Sequence, residues 1–335
     1  MTSVTAGSLP RASARPAAPP SPWVRWGTVL AALPWLALSV ATRRLPETGD
    51  FPYSLVFANG TGLLGLLLLT GLPVAHGLGR VGARLRHWAP WIGVLGLAFL
   101  AWELVTAKLE LLPMPFFPPP QAILEVFLDD WARLGHSTFN SLVLLAGGYA
   151  IGAAVGFVLG VAIGWSRAVG YWAHPILRFV GPLPATAWLP LAFFVFPSSW
   201  SASTFLVALA TGFPVTVLTW SGVAGVNKAY FDVARTLGAS GTFLVLRVAV
   251  PAALPHVFVG LFMGLGGSFA VLVVAEMLGV KAGLGWYLQW AQGWAAYANM
   301  YAALIVMALM CSSLISLLFR LRDRLLAWQK GLVQW

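Results

Sequence analysis

Apolar stretches about 20 residues long recur along this chain, and about 20 residues of helix are what cross a hydrocarbon core of roughly 30 Å. No other feature of the sequence narrows the possible folds so far. In lipid each backbone N–H and C=O must find its partner within the chain, so a long apolar stretch there has to be helical. A transmembrane barrel would show short segments of alternating polarity instead. Composition agrees: of 335 residues 59% are hydrophobic and only 9% charged, against about 25% charged in a soluble domain. The sequence therefore predicts an all-α polytopic membrane protein. Candidate spans are 24–42, 55–77, 89–108, 137–165, 174–197, 203–224, 256–277 and 300–319. Those at 137–165 and 174–197 are long or interrupted by Pro and Gly, so part of each lies outside lipid or is tilted.

A net charge of +10 invites a nucleic-acid reading, but the placement of the basic residues argues against it. Arg80, Arg84 and Arg86 cluster at one span end and Arg320, Arg322 and Arg324 at another, as the positive-inside bias requires. With the N-terminus inside, those clusters share one side with Arg11, Arg15, Arg25, Arg167, Lys228, Arg235, Arg247 and Lys330. The other side holds Arg43, Arg44, Lys108, Arg133 and Lys281, and Arg178 lies within a span near its inner end. The asymmetry predicts eight spans with both termini cytoplasmic. Residues 1–22, rich in Ala, Pro and Ser, lack the apolar core of a signal peptide and read as a disordered cytoplasmic tail. Cys311, the one cysteine, reads as a packing residue. "PMPFFPPPQ" (113–121) reads as a stiff extended linker.

One cytoplasmic segment interrupts the apolar pattern: "FDVARTLGASGTFLVLRVAVP", Phe231 to Pro251. Phe231, Ala234 and Leu237 recur every three positions, on one face of a short amphipathic helix. Gly238 follows, suited to the left-handed conformation that ends a helix. Thr242 opens a second apolar helix, which Pro251 is expected to close. Two readings stand side by side. One is a surface helix in the headgroup region; the other is a lever that docks into a cytoplasmic partner and carries force to the adjoining spans.

Asp232-Val233-Ala234, then Gly238, then Val248-Ala249-Val250-Pro251 resembles the coupling-loop signature of ATP-binding-cassette (ABC) importer permeases. The family's usual form is Glu-Ala-Ala, three residues, Gly, nine residues, Ile, one residue, Leu-Pro. Ala234, Gly238 and Pro251 match it. Asp232 replaces a glutamate, Val233 an alanine, and Val248 and Val250 larger aliphatics. "GPLPATAWLPLAFFVF" (181–196), "ARTLGAS" (234–240), "VPAALPHVFVGL" (250–261), "VVAEMLGVKAGLGW" (273–286) and "AWELV" (101–105) resemble the nitrate/sulfonate/taurine subgroup. The resemblance covers roughly residues 89 to 330. It implies a type I ABC importer transmembrane domain: a six-helix permease core at 88–335 with a coupling loop at 226–252. An extra pair of transmembrane helices at 23–87 departs from the family's usual six.

The resemblance further implies a cytoplasmic ABC ATPase dimer, a second permease subunit in a homodimer, and a periplasmic or lipid-anchored solute-binding protein, all at a bacterial inner membrane. The solute would be a small anion such as nitrate, a sulfonate, taurine or bicarbonate. ATPase coupling would fall to Phe231, Asp232, Ala234, Arg235, Gly238, Ala239 and Pro251. The chain has no Gly-x-x-x-x-Gly-Lys-Ser/Thr loop, so no cofactor is expected in it; ATP and magnesium would belong to the partner, and no enzyme activity to this chain.

Other candidates are single residues. Glu276 in "VVAEML" is an acid near the outer end of a span, where charge is costly; a structural or gating role is expected, since a carboxylate repels an anion. Glu103 is read as structural. Ser268, with Gly264, Gly266 and Gly267, forms a small-residue face that either packs helices closely or lines the path. Trp286, Trp290 and Trp294, with Tyr287 and Tyr297, read as an interfacial aromatic belt. His136, His174 and His256 show no metal-ligand spacing. An ion-coupled secondary transporter is the alternative, but it predicts inverted repeats and several mid-span ionisable groups. An intramembrane enzyme would need a catalytic constellation that the spans lack.

Overall fold

The computed structural model describes residues 22–74 and 79–329. The tail at 1–21, with Arg11 and Arg15, and Lys330 lie outside the described residues. All regular structure within them is helical. By packing, the chain divides into two units: one runs to Met114 with Pro119–Gln121, the other comprises Pro115–Pro118 and the chain from Ala122 on. The packing division falls after the third long helix.

The first unit holds α1 (Pro22–Arg44), α2 (Ser54–Val74) and α3 (Gly79–Glu103). Ala31, Ala32, Trp35, Leu38, Leu68 and Ala89 form its core. After Glu103 the helix widens into a π turn, Leu104–Lys108. Glu103 is buried, 3.7 Å from the Lys108 ammonium, and accepts from Gln121 Nε2 at 3.3 Å. Lys108 also reaches Glu47 at 3.1 Å and donates to the carbonyls of Thr42 and Leu45. Buried charge is sustained by such pairing, which gives Glu103 the structural place expected of it. The 113–121 linker is not uniformly extended. It turns at residues 114–116, and Pro120 starts the next helix, where its missing N–H is harmless.

α4 (Pro120–Asp129), which belongs to the second unit from Ala122 on, leads into α5 (Trp131–Trp165), which is 35 residues long, or about 52 Å at 1.5 Å per residue. The segment expected as one span at 174–197 is α6 (Arg167–Val180), a 3-10 turn and α7 (Leu189–Val195), bent by 87°. Gly181-Pro182-Leu183-Pro184 lies at the break; each proline removes an N–H and disfavours helix in the residue before it. α8 (Ser199–Ala224), α9 (Lys228–Thr236), α10 (Gly241–Phe243), α11 (Val250–Leu278), α12 (Leu284–Gly293) and α13 (Tyr297–Leu325) follow. Among the described residues five helices are long and apolar enough to span a membrane, or six if the bent pair is one span.

α5 and α8 form the centre of this unit. Gly148, Gly152, Gly156, Gly160 and Gly164 recur every fourth residue along α5, so they lie on nearly one face. A Cβ at Gly152 would stand 2.3 Å from the Ala208 carbonyl, one at Gly156 2.6 Å from that of Gly212, and one at Gly160 2.7 Å from that of Thr216. The two backbones touch, as small-residue repeats permit in membranes. α11 meets α8 in the same way: Gly260 lies against Val215 and Gly264 against Thr211.

Replacing Gly152 or Gly156 by leucine should cost at least about 1–3 kcal/mol, the price of overpacking a closed contact, and lower the thermal unfolding temperature of the detergent-solubilised protein. Gly147→Ala, where a Cβ meets nothing within 4 Å, should leave it unchanged or slightly raised. Equal melting of both variants would show that the stripe does not set the helix contact.

Candidate functional site

α9 hangs between the ends of α8 and α11. Asn227 caps it, its side chain accepting from the Ala229 N–H at 3.0 Å. Phe231 turns inward against the buried cluster of Val223, Ala249 and Ala253, with its ring 5.9 Å from that of Trp165. Ala234 is half-buried on the same side. One aromatic side chain thus ties α9 to the ends of α5, α8 and α11. Leu237 does not join that face: it is 83% exposed. It aligns with Tyr230 and Val233, each 61% exposed, in an i, i+3, i+7 ridge pointing away from the spans. The sequence held this second apolar face; an aliphatic every three residues from Phe231 masked it.

The helix ends as expected at Gly238, with φ +81°. Gly238 N–H donates to Arg235 O at 2.9 Å and Ala239 N–H to Ala234 O at 3.0 Å, the two bonds of a Schellman cap. Ser240 caps the next helix, accepting from Phe243 N–H. Asp232 and Arg235 pair at 3.3 Å in solvent, which adds little to stability. Pro251 does not close a helix. The chain runs helically from Gly241 to Leu278, because a π turn at Leu244–Ala249 precedes the proline. Val250 N–H bonds five residues back, to Val245 O, and the widened turn accommodates the ring that an α-helical register would press against a carbonyl.

Ser268 and Glu276 belong elsewhere. Glu276 lies 25 residues beyond Pro251 on one helix, about 37 Å away at 1.5 Å per residue. Ser268 is buried and its hydroxyl donates to Leu265 O at 2.9 Å. Gly264 packs on α8, but Gly266, 200° further round at 100° per residue, meets nothing within 4 Å. The four small residues therefore do not form one contact face.

Glu276 is 1% exposed and is fully engaged. Ser141 of α5 donates to its carboxylate, 2.8 and 2.9 Å from the two oxygens, and Gly285 N–H donates to Oε2 at 2.8 Å. Ser141 Oγ in turn accepts from Leu284 N–H at 2.8 Å. The acid thus holds the first turn of α12 against α5 and α11, where a carboxylate suits the free N–H groups and the helix dipole. Gly283 makes room: its φ is +117° and a Cβ there would stand 2.4 Å from the carboxylate. A lone acid followed by two glycines spaced by one residue was the signal; the partner Ser141, 135 residues away, gave none.

A second clamp lies nearby. Tyr287 is wholly buried and donates to Asp130 at 2.7 Å; Asn299 donates to the Tyr287 oxygen at 2.7 Å. Burial pushes the Tyr287 pKa up, keeping the phenol a donor. Tyr287 is thus no belt residue, and Trp290 stacks under Arg133 at 4.6 Å. Among the described residues no group of three or more His, Cys, Asp or Glu could hold a metal.

Residues 152–330, more than half of the chain, match the family described as binding-protein-dependent transport system inner membrane component. The chain belongs to this family, the permeases of ABC importers. It is 28% identical over 262 residues to the nitrate import permease protein NrtB of Synechococcus elongatus, covering 75% of this chain and 91% of the relative. The bicarbonate transport system permease protein CmpB of the same species is 29% identical, covering 71% and 86%. A probable ABC transporter permease of Brucella melitensis is 31% identical, covering 70% and 92%. The MetNI methionine ABC transporter, solved in inward-facing conformations, shares the fold with a TM-score of 0.50 at 14% identity, over 58% of this chain and 96% of that one. Family membership sets aside the ion-coupled alternative.

Glu276→Ala should leave the Gly285 amide and the Ser141 hydroxyl unpaired, at about 1–3 kcal/mol each. Hydrogen exchange should then speed up across 283–293, and Glu276→Gln should lose less because one acceptor oxygen remains. Unchanged protection in Glu276→Ala would show that the carboxylate does not hold α12.

Proposed function

We propose that this chain is the membrane-spanning subunit of an ATP-driven importer for a small anion of the nitrate or bicarbonate class. The relatives named for nitrate and bicarbonate import support the substrate reading. The mechanism rests on one observation: α9 is fastened to the span ends by Phe231 and turns the apolar ridge Tyr230, Val233, Leu237 outward. An exposed ridge at i, i+3, i+7 suits a helix that lies in a groove of a partner. That partner would be a cytoplasmic ABC ATPase dimer, which holds ATP and magnesium; this chain transports and does not hydrolyse.

In the proposed arrangement two identical permeases form one path, an external binding protein delivers the anion, and closure of the ATPase pair swings both α9 helices. Eight spans with both termini cytoplasmic would put α9 on the ATPase side of the inner membrane. The coupling loop spans 226–252 in a permease domain at 88–335, and the pair at 23–87 is an addition to it. Within the loop Phe231 and Ala234 anchor the lever. Asp232 and Arg235 flank its contact face, and Gly238 and Ala239 fix the angle at which it leaves. Pro251, behind its π turn, passes the motion into α11, whose outer end carries Glu276; Ser268 lies between them.

The test is reconstitution with the ATPase and binding protein in proteoliposomes, measuring nitrate and bicarbonate uptake together with ATP hydrolysis. Leu237→Asp should abolish ATPase association while leaving the fold intact, since that side chain is solvated. Gly238→Pro should break the Schellman cap, reduce uptake at least about ten-fold and leave the spans folded. Normal coupled uptake in both variants would sink the lever reading.

A further inference from the structure

α6 carries a charge that its surroundings do not answer. Arg167, Tyr171, His174 and Arg178 follow at i, i+4, i+7 and i+11, a single polar stripe along a helix. The helix runs beside α8. The His174 ring lies 4.4 Å from that of Trp220, and Gly181 backs onto the Phe213 ring. Seven residues separate the contact points on each helix, about 10 Å in both. Arg178 therefore stands about level with Val217, seven residues in from the end of α8, or roughly 10 Å inside an apolar span. A charge at that depth is costly and faces water, a cavity or a partner. Neither helix contains an Asp or Glu, and Arg178 makes no ion pair among the described residues.

A cavity faces it. His174, Leu177, Arg178, Phe213, Val217 and Trp220 line an open cavity of about 330 Å³, within the range of small-ligand sites. Arg178 and His174 are the two polar side chains beside the Trp220 indole on an otherwise apolar lining. A guanidinium presents a planar fork that matches a planar oxyanion through two parallel hydrogen bonds. Phe213 is shared with a second cavity of about 320 Å³ beyond the break in the span, which Thr186 and Gly267 also line. Phe213 thus lines both spaces.

We infer that the α6–α8 cavity is a binding site for a small planar oxyanion on the inner part of the translocation path, with Arg178 as its principal ligand and His174 as the second. This rests on the importer reading above and locates the substrate contact within it. The same chemistry would suit a lipid phosphate, but about 330 Å³ beside the planar guanidinium fork gives room for a free three-oxygen anion rather than for a headgroup carrying two acyl chains.

The experiment uses the full permease with its ATPase in phosphatidylcholine nanodiscs, with sodium nitrate and sodium bicarbonate as probes against sodium chloride at matched ionic strength. One of the two oxyanions should raise the unfolding temperature of the wild type. Arg178→Gln should lose that shift and Arg178→Lys keep part of it. In phosphatidylcholine proteoliposomes with excess binding protein, Arg178→Gln should lower kcat for uptake about ten-fold, as expected for a lost charge-assisted contact. An Arg178→Gln variant with the wild-type shift and kcat, in a system that does carry out ATP-driven uptake, overturns the site and leaves the importer standing. Stabilisation only by phosphatidylglycerol, with none from either free anion, makes the cavity a lipid seat and also overturns it. An Arg178-dependent shift in a wild-type complex that takes up neither anion keeps the site and overturns the importer reading.

Discussion

The contact between α5 and α8 is the constraint on which the second unit depends. Five glycines at four-residue spacing bring the two backbones together along most of the span. Between helices in lipid there is no hydrophobic gain to drive association, because the tails are as apolar as leucine. Attraction comes instead from close van der Waals packing, which falls off steeply with even a small gap. A glycine stripe maximises that contact, and the Thr211 and Thr216 hydroxyls facing it are satisfied within their own helix, by Val207 O and Gly212 O. Thr219, which packs on Gly160, is the exception: its hydroxyl is buried without a hydrogen-bond partner.

With α8 fixed, the neighbouring elements have a post to build on. α11 lies against its other side through Gly260 and Gly264. α6 meets it through Trp220 and Phe213, and α9 leaves from its end after Ala224. The helix from Gly241 to Leu278 joins the neighbourhood of α9 to the Glu276 bracket without a break. Its π turn matters here. A proline in a plain α-helical register would kink or break the rod, whereas the π turn keeps the helix continuous past Pro251. At the far end Glu276 ties α11 to α5 and α12 in one hydrogen-bonded set, and Asp130, Tyr287 and Asn299 tie α12 to the start of α5 and to α13.

Much of this was legible in the sequence, for reasons that differ by element. Long apolar runs give helices because lipid leaves no alternative. Gly238 was readable because its conformation is a local property: a left-handed residue after an amphipathic turn. Pro251 misled for a related reason, since the local rule that proline ends a helix takes no account of a π turn upstream. Leu237 misled because a three-residue repeat fits two faces of so short a helix. The glycine stripe was present as a plain four-residue repeat, yet its partner on α8 was not. The bracket at Glu276 depended on Ser141, and the Tyr287 clamp on Asp130. Contacts across more than a hundred residues carry no local pattern, so an aromatic near other aromatics passed for a membrane belt.

Charges inside the apolar helices separate into two kinds. Glu276 is met by a hydroxyl and a backbone N–H, and Glu103 and Lys108 by each other, Glu47 and Gln121. Both sets are paired, although Glu103 Oε2 and Gln121 Oε1 are left without a hydrogen-bond partner: removing one member exposes the other's desolvation cost, so stability accounts for keeping them. Arg178 is different. Its side chain borders a cavity and is exposed, and no acid on its own helix or on α8 offsets its charge. Its place in the last turn of α6 suits the helix dipole by about 0.3–1 kcal/mol, which is less than the cost of a charge at that depth. A cation kept where folding does not need it is explained by what enters the cavity, and an entering anion supplies the counter-charge that the chain itself withholds.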